Sequence, residues 1–83
     1  MADLIERLRA GERGNDLDIL IEIALFDPGD GYLSVRPNDA GTKVIYSLDD
    51  GSQETCWAYD WTMYPERSIA RLEARLAAAK EPS

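Results

Sequence analysis

The stretch Leu17-Asp18-Ile19-Leu20-Ile21-Glu22-Ile23-Ala24-Leu25-Phe26 decides the fold. Read with a period of two, Ile19, Ile21, Ile23 and Leu25 alternate and suit a buried strand. Read with the helical period, the same residues give a helix apolar on nearly all sides, and Asp18 and Glu22, four apart, mark its wet stripe. The residues in front separate the two readings. Asn15 is a good N-cap, Asp18 three residues later can complete a capping-box-like start, and Asp16 and Asp18 suit the positive end of a helix dipole. The reading is therefore a helix, entered at Asn15 and running over Leu17 to Phe26.

On its N-terminal side, Ala2 to Ala10 reads as a short helix with Leu4, Ile5 and Leu8 on one side. Gly11 and Gly14 bracket the break between the two helices. On its C-terminal side, Asp27-Pro28-Gly29-Asp30-Gly31 is a turn. Tyr32 to Arg36 follows as a strand with Leu33 and Val35 on one face. Pro37 to Gly41 turns the chain into Thr42 to Leu48, which presents Val44, Tyr46 and Leu48 together. Asp49-Asp50-Gly51-Ser52 is a hairpin signal and Gln53 to Tyr59 the third strand. Short links between consecutive strands imply an antiparallel meander. Pro65 fits the first turn of a last helix reaching about Ala79, with Ile69, Leu72 and Leu76 as its stripe, alanines in close contacts, and Glu66 and Lys80 favourable to its dipole. Residues 79–83 read as a fraying tail. The expectation is a single α+β domain over 1–83, ordered helix, helix, three-stranded antiparallel sheet, helix.

Charge is distributed unevenly. From Asn15 to Glu66 eleven carboxylates meet only Arg36 and Lys43, a net −9, whereas the first fourteen residues balance and Arg67 to Ser83 carries +2. In a meander the links before the first strand and after the second emerge at the same end of the sheet. Asp27, Asp30, Asp49 and Asp50 are therefore expected together, away from Asp39. Such an end attracts a basic groove, and Glu54 and Asp60 extend the candidate acidic surface. The plainer reading is that Asp is a good turn residue and aids solubility. Trp57, Tyr59 and Trp61 fall on one face of the third strand. Large aromatics are more often core, so burial is expected; if exposed, the stripe is a contact surface or a homodimer face. Arg67, Arg71 and Arg75 form a ridge that needs carboxylates or solvent. Cys56 reads as a small hydrophobe without a lowered thiol pKa.

The absent residue types narrow the function. No His is present, which removes the usual general base, the Ser–His and Cys–His pairs and most zinc sites. Asp27 to Gly31 lacks the ligand spacing of a calcium loop, and no phosphate loop occurs. No catalytic, cofactor or metal residue is expected, and the reading is a non-enzymatic protein. The acidic balance disfavours direct nucleic-acid binding. The longest apolar stretch is interrupted by Glu22 and too short for a membrane span, and no secretion signal is recognisable, so a reduced, cytoplasmic setting is expected.

Two stretches resemble the phage ABA sandwich family of small phage and prophage proteins. One is Leu4-Ile5-Glu6-Arg7-Leu8, a Gly-containing break, then Leu17-Asp18 and Ile21. The other is Tyr64 followed by Ser68, Ile69 and Ala70, with a proline in place of the usual neighbour and a spacing one residue longer. The resemblance implies a phage context in a host cell, and small acidic phage proteins resemble anti-CRISPR-type inhibitors of host defence. The expected partner is then a host protein with a basic nucleic-acid-binding surface, such as a CRISPR effector complex, met by an acidic nucleic-acid mimic acting as monomer or homodimer. The alternative is a phage structural or assembly protein that uses the aromatic face.

Overall fold

The deciding stretch is helical in the computed structural model, which describes residues 1–80, with side chains through residue 78. The elements are α1 (Ala2–Arg9), α2 (Asn15–Ala24), β1 (Tyr32–Pro37), β2 (Val44–Leu48), β3 (Gln53–Cys56), a 3-10 turn (Trp61–Met63) and α3 (Pro65–Lys80). The sheet is an antiparallel meander in the order β1-β2-β3. The α+β architecture and element order are those read from the sequence. Helix α3 continues through residues 79 and 80, where the sequence reading places the start of a frayed tail; the expected fraying over 81–83 and the dipole contact of Lys80 lie outside the described residues and side chains.

Helix α2 belongs to both cores, and this explains its composition. Leu17 and Ile21 pack with Ile5 and Leu8 of α1 and Leu72 of α3. Ile19 packs with Val44 and Ala58, with Ile23, Val35 and Tyr46 closing round them. On a 3.6-residue helix, positions two apart lie about 200° apart. Alternating apolar residues therefore supply two opposite buried sides, and the strand-like pattern is the mark of a helix covered on both.

The edges of α2 differ from the sequence reading. Asp18 is buried and Glu22 half-buried, so they are not a wet stripe; Asp16 and Leu20 on the other edge face solvent. Nor does Asn15 cap the helix. Gly14 is the N-cap at φ +136°, a conformation open to glycine, and no side chain caps the first turn. Asn15 Nδ2 donates instead to the Thr42 carbonyl at 2.7 Å, tying α2 to the β1–β2 loop. The helix also stops two residues early. Pro28 lies just beyond, and Arg75 of α3 donates to the Phe26 carbonyl at 2.7 Å.

The strands are shorter or less regular than expected. A bulge between Tyr32 and Ser34 shifts the register of β1 on β2, so Leu33 leaves the face of Val35 and is 58% exposed. β2 begins at Val44, which opposes Cys56, so β3 has no ladder partner beyond that point and does not reach Tyr59. On α3, Leu72 is fully buried and Ile69 and Leu76 half-buried, but Ala70, Ala74, Ala77 and Ala78 face solvent rather than filling contacts.

Candidate functional site

At one end of the sheet the two acidic turns touch. The Asp49 amide donates to the Gly31 carbonyl at 2.8 Å, joining the loop before β1 to the β2–β3 hairpin. That hairpin closes through Gly51 N–H to the Leu48 carbonyl and Leu48 N–H to the Ser52 carbonyl, with Gly51 at φ +89°. This is the three-residue loop that suits a right-twisted hairpin. Asp30, at φ +52°, takes a left-handed position that Asp tolerates better than most residues. Asp30, Asp49 and Asp50 are all exposed at this end, and Asp39 lies in the β1–β2 link at the other.

The six acidic candidates do not behave alike. Asp27 is neutralised: Arg75 Nη1 lies 2.5 Å from its carboxylate. Asp50 accepts from the amide (2.8 Å) and hydroxyl (2.5 Å) of Ser52, and these bonds hold its pKa below the ordinary carboxylate value. Glu54 accepts from the Tyr32 hydroxyl at 3.0 Å, which raises the tyrosine pKa. Among the described residues no Lys or Arg comes within 4 Å of Asp30, Asp49, Asp50 or Glu54. Asp60 precedes the 3-10 turn, exposed and without a capping bond, apart from the acidic end.

The aromatic stripe is neither one face nor buried. Trp57 is 64% and Tyr59 56% exposed, whereas Trp61 is half-buried against the helical core. Beyond β3 the backbone leaves the sheet because α2 captures it. Glu22 Oε1 accepts from Trp61 Nε1 at 2.7 Å and from the Tyr59 amide at 3.2 Å, and its Oε2 accepts from the Tyr46 hydroxyl. Asp18 Oδ1 accepts from the Thr62 amide at 2.7 Å, and the Gly14 amide donates to Thr62 Oγ1. Tyr59 meets Trp61 edge-on at 5.0 Å and stacks with Tyr64 at 6.3 Å. Lys43 lies over the Trp57 ring.

The arginine ridge divides its work. Arg75 binds Asp27, as the need for a carboxylate predicts, but Arg67 and Arg71 lie over the rings of Tyr64 and Trp61, at 5.8 and 5.2 Å. Cys56 is exposed rather than buried. Its thiol pKa is raised, first by desolvation and then by the charges of Glu22 and Glu54, which leaves it a poor nucleophile at neutral pH. Among the described residues no group of three or more Cys, Asp or Glu is placed to hold a metal. No helix among them is long and apolar enough to cross a membrane.

Compared with protein-family models, with curated proteins and with solved structures, the chain matches none.

Sequence reasoning missed Asp18 and Glu22 as the residues that organise the surface. A partial signal was present: two acids four apart on a largely apolar helix meet either solvent or buried donors, and only the tertiary fold decides between them. The four N–H and O–H donors that meet them come from residues 24 to 44 positions away.

Proposed function

We propose that this chain is a non-enzymatic binding protein whose acidic sheet end docks on a basic, nucleic-acid-binding surface of a partner protein and competes with the nucleic acid there. The observation that carries the reading is the Asp49–Gly31 hydrogen bond, which gathers Asp30, Asp49 and Asp50 at one end with no Lys or Arg nitrogen of the described residues within 4 Å. Carboxylates so grouped present the charge that a nucleic-acid channel is built to receive. The phage resemblance of the helical ends narrows the partner to a host defence complex of the CRISPR-effector kind, met inside the host cell.

The test is displacement. Host lysate proteins are bound to DNA-cellulose and the purified protein is added at 50 mM salt. Release of a DNA-binding protein is expected, falling as salt rises, because exposed charges are screened over about 8 Å at physiological ionic strength. Asp49→Lys with Asp50→Asn changes the local charge by three while keeping an acceptor for Ser52, and should slow association at least tenfold. Equal release by this variant, or none by the wild type at low salt, would sink the reading.

The exposure of Trp57 and Tyr59 favours a second reading, an assembly protein with an aromatic contact surface. Trp57→Ala with Tyr59→Ala would then abolish partner binding, and binding by the wild type would not fall as salt rises. Trp61 is unsuited to that test, since it is anchored to Glu22.

A further inference from the structure

Helix α2 ends at Ala24 and covers the sheet over Val44 and Val35, leaving the remainder of that face open. Between this open part and the loop before β1 lies a groove of about 550 Å³. Its apolar wall is three rings in contact: Phe26 and Tyr46 at 6.0 Å, and Tyr32 edge-on to Tyr46 at 5.5 Å. Asp30 on the loop and Glu54 on β3 flank it, and no Lys or Arg among the described residues lines it. The Tyr46 hydroxyl is directed to Glu22 and the Tyr32 hydroxyl to Glu54, so both phenols have partners within the chain.

One guanidinium already binds at the rim. Arg75 of α3 reaches the Phe26 carbonyl at 2.7 Å and the Asp27 carboxylate at 2.5 Å. The groove beside it also offers carboxylates, here next to ring faces, and none of the described residues of this chain occupies it.

We infer that the groove receives one arginine side chain of the docking partner, its stem against Tyr32 and Tyr46 and its guanidinium between Asp30 and Glu54. The inference rests on the docking reading above and gives it an anchor. A flat acidic surface attracts basic proteins without choosing among them, whereas an aromatic groove with carboxylates at its edge selects a planar cation on an apolar stem.

The test uses the whole protein and a probe of one charge: an acetylated, amidated glycine-rich peptide with a single arginine, against the same peptide carrying citrulline. Amide chemical shifts are followed by NMR during titration. The arginine peptide should move Gly29, Tyr32, Glu54 and Cys56, and the citrulline peptide should move none of them. Glu54→Gln, which keeps an acceptor for the Tyr32 hydroxyl, and Tyr32→Leu, which keeps apolar volume, should each weaken binding about threefold to fivefold. Native spectra of both variants establish that they fold. Shifts confined to Asp49–Gly51, equal response to citrulline, or unchanged affinity in both variants would overturn the inference. The two proposals fail separately. If the groove variants displace protein from DNA-cellulose as the wild type does while Asp49→Lys/Asp50→Asn does not, only the groove falls. If the wild type displaces nothing, the docking reading falls whatever the peptide does.

Discussion

Glu22 is the residue on which the surface depends. Its two carboxylate oxygens accept three hydrogen bonds, from the Trp61 indole, the Tyr59 amide and the Tyr46 hydroxyl, and so fix the course of the chain after β3. A hydrogen bond to a charged group contributes roughly 1.5–3 kcal/mol, and removing the acceptor leaves its donors to find water. Glu22→Ala should therefore cost about 2–3 kcal/mol in urea unfolding. In a Trp57→Phe background it should also shift Trp61 emission to the red, because the indole loses its partner and its cover. Glu22→Gln keeps an acceptor for the indole and should cost less. The tyrosine end of this cluster gives a pH signature. Desolvation, together with the hydrogen bond and charge of Glu22, raises the Tyr46 pKa well above 10.0, and Glu54 raises that of Tyr32. The folded state thus holds phenolic protons that the unfolded chain releases near pH 10. The stability linked to them is complete below that pH and declines as pH rises above it. Unfolding midpoints measured from pH 8 to 11 should fall in the wild type and flatten in Tyr46→Phe with Tyr32→Phe. None of these partnerships could be read locally, because each joins residues more than twenty positions apart and only the tertiary fold creates them.

Helix α2 shows which elements a sequence declares. The alternation of Ile19, Ile21, Ile23 and Leu25 is compatible with a strand, and only the residues before it resolve the ambiguity. The structure resolves it as a helix, although one started by Gly14 rather than capped by Asn15. The turns were legible for a local reason: Asp49-Asp50-Gly51 and Asp27 to Gly31 carry the residues their backbone geometry demands. The end of β3 was not, because it depends on β2 having no residue left to pair beyond Val44. Nor does a glycine or proline stand at the bulge itself, between Tyr32 and Ser34. The two-sided burial of α2 makes a direct prediction for single truncations. Ile21→Ala in the helical core should cost about 2–5 kcal/mol, and Ile19→Ala against the sheet a similar amount, because both are nearly inaccessible. Leu20→Ala, on the edge that faces solvent at 43% exposure, should stay within about 0.5 kcal/mol. If Ile19→Ala were also silent in denaturant melts, the sheet would not be packed on α2 as described.

At the scale of the whole molecule, the chain is a slab of 38 × 36 × 17 Å carrying a formal −7, and the charge has a cost in stability beside the docking use proposed for it. Among the described residues three ion pairs oppose it: Arg7–Glu12, Arg9–Glu73 and Arg75–Asp27, all about one-third exposed or more on each partner. Pairs of this kind contribute roughly 0–1 kcal/mol each, and screening removes that contribution first. Against them stand Asp30, Asp49 and Asp50, gathered by the Gly31–Asp49 hydrogen bond in two touching turns, where like charges repel in the folded state more than in an extended chain. With a formal −7 set against exposed pairs of this kind, the repulsion is expected to outweigh them. Raising sodium chloride from 20 to 200 mM should therefore raise Tm, by a few degrees for about 0.5 kcal/mol in a domain of this size. The variant Asp49→Lys/Asp50→Asn should start from a higher Tm at 20 mM and gain less from salt, while associating more slowly with a basic partner. A surface whose charges are held for binding is expected to be stabilised by their removal. A wild-type Tm that falls with salt, or a variant no more stable than the wild type at 20 mM, would show instead that these aspartates serve their turns and nothing further.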